Sequence, residues 1–101
     1  MNEVRDVPDR NRYELTVDGA VVGHILYERR GGRLLLVHTE IDDAYGGRGL
    51  GTALIKGALD DIRTRGLKIL PVCPFVERFI EKHPEYDDLV DHARFDPLNA
   101  E

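Results

Sequence analysis

Tyr45-Gly46-Gly47-Arg48-Gly49-Leu50-Gly51-Thr52 is the stretch on which the reading of this chain turns. It follows an apolar, strand-like run and opens a helix-like one. Glycine permits positive φ and lets a ligand come close to the backbone. The free N–H groups and the dipole at a helix start favour an anion, phosphate above all. Glycines and one arginine at a strand-to-helix turn therefore describe a cradle for a pyrophosphate. Two familiar phosphate loops fit badly. The dinucleotide fingerprint needs G-x-G-x-x-G and an acidic residue at the end of the next strand. Here Gly47-Arg48-Gly49-Leu50-Gly51 has a different spacing, and the next strand ends in Val72-Cys73. The P-loop needs a lysine before its Ser or Thr, and Gly51-Thr52 lacks it.

Upstream, the period is two. Asn11 to Val17 predicts a strand in which Tyr13, Leu15 and Val17 alternate with Arg12, Glu14 and Thr16. Asp18-Gly19 is a two-residue hairpin signal. Val21 to Glu28 is the return strand, with Val22, His24, Leu26 and Glu28 on one face and Val21, Gly23, Ile25 and Tyr27 on the other. Gly31-Gly32 marks a second turn, and Arg33 to Ile41 a third strand. Its continuous run Leu34-Leu35-Leu36-Val37 implies burial on both faces and a central place in the sheet. These three strands form an antiparallel meander. Residues 1–11 are polar, carry Pro8, and read as a flexible lead-in.

Downstream, the period becomes helical. From Gly49 to Arg65, Leu50, Ala53, Leu54, Gly57, Ala58 and Ile62 share a face that Ile55 and Leu59 widen. Gly66 suits the C-terminal end, with Arg63 and Arg65 complementing the dipole. The helix start has no Ser, Asp or Asn cap, which leaves its first N–H groups for an outside anion. Lys68 to Val72 is a fourth strand, and strand-helix-strand implies a parallel pair. Pro71 cannot donate to a ladder. A splay at that level would spare the missing bond and open a slot beside the glycine loop. Pro74 to His83 is a second helix, with Pro74 at the first helical position and Val76, Phe79, Ile80 and His83 on one face. Tyr86 to Val90 adds a short helical turn, and residues 93–101 form a tail. The class is α/β (α+β): a mixed, mostly antiparallel sheet with two main helices, one domain over residues 12–92.

A chain of 101 residues is one domain. With 42% hydrophobic and 33% charged residues it has the balance of a soluble globular protein. No apolar run reaches membrane-spanning length, and Met1 to Asp6 holds no signal-peptide core, so the expectation is a cytoplasmic protein without a membrane partner. The net charge of −5 argues against a nucleic-acid surface and is compatible with cationic partners such as amines, although solubility alone is the plainer reading. A single cysteine excludes a disulfide within the chain. Cys73 leaves three readings: a buried filler, a bystander, or a thiol activated by the helix that Pro74 opens. His38 and Glu40 share one strand face, with Thr39 and Ile41 opposite. Either could take a proton from an amine; a solvent-facing glutamate and a sheet-bonded histidine are the plainer alternatives. His24, His83 and His92 show no metal-ligand spacing with Cys73, so no metal is expected.

Four blocks then stand in order: His38-Thr39-Glu40-Ile41, the Gly49-Leu50-Gly51 loop and its helix, Pro71-Val72-Cys73-Pro74-Phe75-Val76, and His83-Pro84-Glu85-Tyr86. Together they resemble the GCN5-related N-acetyltransferase family, in particular its very small bacterial-type members, over residues 12–91. The resemblance implies a minimal acyl-CoA N-acyltransferase fold and acetyl-CoA as donor. It implies an amine acceptor, either a small amine or a peptide or protein lysine. The family's Gln/Arg-x-x-Gly-x-Gly/Ala loop puts the pyrophosphate on the segment Gly46 to Thr52. Gly46 stands where the family carries Gln or Arg, so the grip rests on backbone N–H groups, with Arg48 the nearest charge. Backbone from Thr39 to Ile41 would pair with pantetheine between splayed strands. Pro74, Phe75 and Arg78 would also meet the coenzyme. Arg78 and Lys82 are candidates for its 3′-phosphate, although a solvated face is the plainer reading of that pair. Cys73 falls near the acetyl group, either to carry it or to protonate the departing thiolate. Glu40 matches the position that often carries the base, with His38 its competitor. A non-catalytic acyl-CoA sensor is the alternative function. A monomer or weak dimer is the expected state.

Overall fold

Alternation and turn chemistry set out the sheet. In the computed structural model, which describes residues 2–91, five strands form one sheet in the order β1 (Asn2–Val7), β2 (Arg12–Val17), β3 (Ala20–Arg30), β4 (Arg33–Ile41), β5 (Lys68–Pro71). The first four form an antiparallel meander and β5 runs parallel to β4. Helix α1 (Leu50–Thr64) links β4 to β5, and α2 (Pro74–Lys82) leads into a 3-10 turn, Pro84–Leu89. The mixed sheet with two main helices is as expected. His92 and the tail at 93–101 lie outside the described residues.

The lead-in is a correction. Residues 2–7 are not loose: β1 pairs with β2 from Asn2↔Val17 to Val7↔Arg12. Polar anchors hold it. The Tyr27 hydroxyl donates to Asp6 at 2.6 Å, and Arg65 meets the same carboxylate at 2.8 Å. Arg65 also pairs with Asp61, which accepts from the Tyr13 hydroxyl at 2.7 Å. Burial first, then these carboxylates, push both tyrosine pKa values well up, so the hydroxyls stay donors. The meander therefore has four strands rather than three.

Two β-bulges shift the register. One falls opposite Leu15 and Thr16, where Val22 is the extra residue on β3; the other falls opposite Leu26 and Tyr27, where Val37 is the extra residue on β4. A bulge reverses which face later residues point to. On β3, Val22 is buried while Val21 is exposed, so the alternation expected at those two positions is swapped. On β4, Leu34 and Leu36 enter the core, but Val37 is 43% exposed. The run Leu34 to Val37 is thus interior in the sheet but not buried on both faces. Beyond the bulge, Thr39 lies opposite Ile25 on the core side, and His38 and Glu40 face the other way, opposite Leu26 and His24.

One sheet face carries the helices. Leu54, Ile55, Ala58, Leu59 and Ile62 of α1 are fully buried in one cluster with Tyr13, Leu15, Ile25, Leu36 and Ile69, and α2 adds Val76, Phe79 and Ile80. Each fully buried aliphatic side chain contributes about 1.5–3 kcal/mol. Tyr86 packs beneath the Pro84–Leu89 turn with its hydroxyl on Asp60 at 2.7 Å, and Arg63 forks onto Asp88. His83 stacks on Phe79 with ring centres 4.1 Å apart.

Pro71 ends the β4–β5 ladder. Their pairing covers Arg33 to Leu36 only. The Val72 N–H turns back onto the Leu70 carbonyl at 3.0 Å, a γ-turn about Pro71, and the Cys73 N–H closes onto the Leu36 carbonyl at 2.8 Å. From His38 to Ile41, no strand among the described residues flanks β4 on that side, so the sheet splays where the missing proline donor suggested.

β1 lies so close to α1 that a Cβ at Gly57 would come 2.7 Å from the Val4 side chain. In an exposed helix Gly→Ala would stabilise by up to about 1 kcal/mol. Here Gly57→Ala is expected to destabilise by about 1–3 kcal/mol, the cost of overpacking, read as a lower urea midpoint.

Candidate active site

The loop after β4 begins with a side-chain cap: Asp42 accepts from the Ala44 N–H at 3.0 Å and opens a 3-10 turn, Asp43–Tyr45. Gly47 and Gly49 then take φ of 78° and 72°, a region that L side chains enter only with strain. Gly49 is the N-cap of α1, and no side chain caps that helix. The N–H groups of Leu50, Gly51 and Thr52 therefore have no intrahelical acceptor. A hollow of about 250 Å³ sits there, lined by Gly46, Gly47, Gly49, Leu50, Gly51 and Thr52 together with Ile41, Tyr45 and Phe75. Arg48 is not among its walls; its guanidinium rides 5.2 Å above the Tyr45 ring. Phe75 fits because position 51 is glycine: a Cβ there would lie 2.8 Å from the ring. Phe75 and Thr52 also border a second hollow of about 140 Å³, shared with Arg78, Lys82, Phe79 and His83.

Cys73 is the N-cap of α2, ahead of Pro74 at the first helical turn, and is buried. Its Sγ lies 3.5 Å from Thr39 Oγ1. Burial pushes the thiol pKa up, but hydrogen bonding from the Thr39 hydroxyl and from backbone N–H groups of α2 outweighs it, and the net shift is downward. Cys73 and Thr39 therefore form one wall of the slot beside β4. Glu40 and His38 do not meet them. They stand on the opposite face, which carries no helix among the described residues, with the His38 Nε2 3.7 Å from Glu40 Oε1.

On that face the structure adds a residue that the strand pattern alone did not single out. His24 Nε2 lies 3.6 Å from the same Glu40 oxygen, so two imidazoles flank one carboxylate. Burial first, then the Arg12 charge, lowers the His24 pKa. Arg12 itself holds the buried Glu14 at 2.8 Å. The cross-strand row Arg5–Glu14–His24–Glu40 alternates in charge or polarity over four strands. A shallow basin of about 410 Å³ opens beside it, lined by Arg12, Val21, Val22, Gly23, His24, Glu40 and Asp42. Counted back from Arg30↔Arg33, a bulge-free hairpin would set Thr39 opposite His24; only the extra Val37 sets Glu40 there. Among the described residues, no group of three His, Cys, Asp or Glu could hold a metal ion, and no helix is long and apolar enough to cross a membrane.

The arrangement supplies an anion cradle, a slot along an unpaired strand edge, a thiol on one side of the slot and a carboxylate with imidazoles on the other. The sequence model of the family described as GCN5-related N-acetyl-transferase matches residues 12–89. Protein NATD1 of Bos taurus and that of Homo sapiens are each 38% identical over 88 residues, covering 80% of this chain and 75% of theirs. A GCN5-like protein from Staphylococcus aureus, solved in solution by NMR, superposes with a TM-score of 0.65 at 25% identity, covering 91% of this chain and 93% of that one. A GNAT family acetyltransferase from Brucella melitensis, solved in complex with acetyl-CoA, matches at 26% identity and a TM-score of 0.52, over 67% of this chain and 50% of its own. From β2 through the turn that seats Tyr86, this chain belongs to the GCN5-related N-acetyltransferase family.

Proposed function

We propose that this protein transfers an acetyl group from acetyl-CoA to an amine. The observation that carries the reading is the uncapped start of α1, set over the Gly46–Thr52 loop at the mouth of the slot that β5 leaves beside β4. The loop N–H groups hold the pyrophosphate, and the free edge of β4 around Thr39 to Ile41 pairs with the pantetheine amides. Phe75 closes the coenzyme side, and Arg78 with Lys82 faces the hollow next to it. The acetyl-CoA complex of the Brucella melitensis relative supports this donor.

The two walls of the slot divide the chemistry. Glu40 and its flanking imidazoles draw a proton from the acceptor on the open face. The amine nitrogen attacks the thioester carbonyl, the C–S bond breaks, and Cys73 on the opposite wall gives its proton to the departing thiolate. The second proton shed by nitrogen, as it becomes an amide, restores the thiol.

Purified protein with acetyl-CoA and a panel of amines, polyamines and lysine peptides is expected to release free thiol. Glu40→Gln should lower that rate about 10²–10⁴-fold, the usual range for losing a general base. Binding of acetyl-CoA without thiol release from any amine would leave an acyl-CoA-binding module instead.

Two further outcomes follow from the site. Gly49→Ala places a side chain at φ 72°, a strain of about 1–3 kcal/mol, and should raise the acetyl-CoA Kd about tenfold by calorimetry. The ultraviolet absorbance of the Cys73 thiolate should titrate below the ordinary value of 9.0, and Thr39→Val should move that midpoint upward, because it removes a bond that favours the thiolate.

A further inference from the structure

The outer edge of the sheet carries a pattern of its own. β1 pairs with β2 over its whole length, and among the described residues no strand lies on its other side. The outward N–H and C=O groups of such an edge are a template for a further strand. We propose that this edge pairs with the same edge of a second copy of the chain, antiparallel about a dyad at Val4, so that two five-stranded sheets join into one.

The side chains of β1 select both partner and register. Val4 faces α1, where it meets Gly57, and Asp6 faces the same side, held by Tyr27 and Arg65. By alternation Asn2 joins them, while Glu3 and Arg5 stand on the other face, both exposed. Among the described residues neither Glu3 nor Arg5 has an ion-pair partner. Arg5 lies opposite Glu14, but Arg12 already holds that carboxylate at 2.8 Å, with Arg10 at 3.7 Å.

Residues opposite each other in an antiparallel pair share a face. Two copies of β1 can therefore centre on Glu3, Val4 or Arg5 and still join most of the strand. A centre at Glu3 sets two carboxylates against each other, and a centre at Arg5 sets two guanidinium groups. A centre at Val4 sets Glu3 opposite Arg5 twice, once on each side of the dyad. It also sets Val4 against Val4, and the Asn2 amide against the Asp6 carboxylate. Charges on an edge strand ordinarily keep other strands away. Here the same two charges exclude the shifted registers and admit one. The row Glu14–Arg5 then continues into Glu3 of the second copy, so charge alternates across the dyad. The slot beside β4 is untouched, because β4 and β5 lie at the far end of the strand order. The contact is one strand long, about 17 Å, so the dimer belongs with the small, weak interfaces.

Sedimentation velocity of the full chain, from about 10 μM to 1 mM to bracket a weak interface, tests the pairing. A reversible monomer–dimer equilibrium is expected. Arg5→Glu would face Glu3 across the dyad, and Glu3→Arg would face Arg5. Either change acts at two symmetric pairs and should raise the dimer Kd about tenfold or more. The two variants mixed in equal amounts should form a mixed dimer, and the chain carrying both Glu3→Arg and Arg5→Glu should regain self-association. The urea midpoint of each variant, expected near that of the unaltered chain because both positions are exposed, separates lost pairing from lost fold. In NMR spectra the amides of residues 2–6 should shift with concentration while those of the Gly46–Thr52 loop stay in place. A chain that remains monomeric throughout, a dimer that survives both single variants, or a mixture that fails to associate overturns the proposal. So does a dimer whose shifts centre on the open sheet face around His24 and Glu40. None of these readouts involves acetyl-CoA, so the pairing stands or falls apart from the acetyltransferase reading.

Discussion

A single extra residue, Val37, decides what this sheet can do. Before it, β4 sends Leu34 and Leu36 into the core; after it, the parity reverses and Thr39 takes the inward place. Without the bulge, His38 and Glu40 would point beneath α1, where an unpaired carboxylate would cost several kcal/mol or lose its charge. With it, the inward side presents a hydroxyl to Cys73 and the outward side presents a carboxylate to two imidazoles. The neighbouring bulge at Val22 keeps β3 in step, so that Tyr13, Ile25 and Thr39 form one inward row and Glu14, His24 and Glu40 one outward row. Both walls of the site depend on these two offsets.

Much of the architecture was legible because it is local. Alternation, the Asp18-Gly19 turn and the helical run after Gly49 each specify their element within a few residues, and the bounds of β4 agree with the reading Arg33 to Ile41. Asp18 and Gly19 both take positive φ, as that two-residue turn demands. Pro71 announced the splay because a missing donor is a property of the residue itself. The bulges were illegible for a physical reason. Each extra residue is a valine inside an apolar run, Val21-Val22 and Leu36-Val37, so hydrophobicity is unbroken where the strand changes face. The stretch that read as burial on both faces is the point of reversal.

The remaining differences share that origin. β1 read as lead-in because it carries few apolar residues; its attachment runs through Asp6, Tyr27 and Arg65, partners far apart in the chain. His24 read only as a strand residue without metal-ligand spacing, because its meeting with Glu40 depends on a register that no local signal reports. The candidate site was thus half visible: the glycine loop, Cys73, His38 and Glu40 by residue type and spacing, and the open-face basin only through the sheet.

The γ-turn at Pro71 gives the slot defined ends. Cys73 closes onto Leu36 at one end, and the glycine loop follows Ile41 at the other. Between them lie the five residues Val37 to Ile41, a run of roughly 16 Å at strand spacing. The interrupted ladder is therefore a rail with a stop at each end. A guest that pairs with it is measured as well as gripped, because its length and the register of its amides must both agree with a count of residues in the strand.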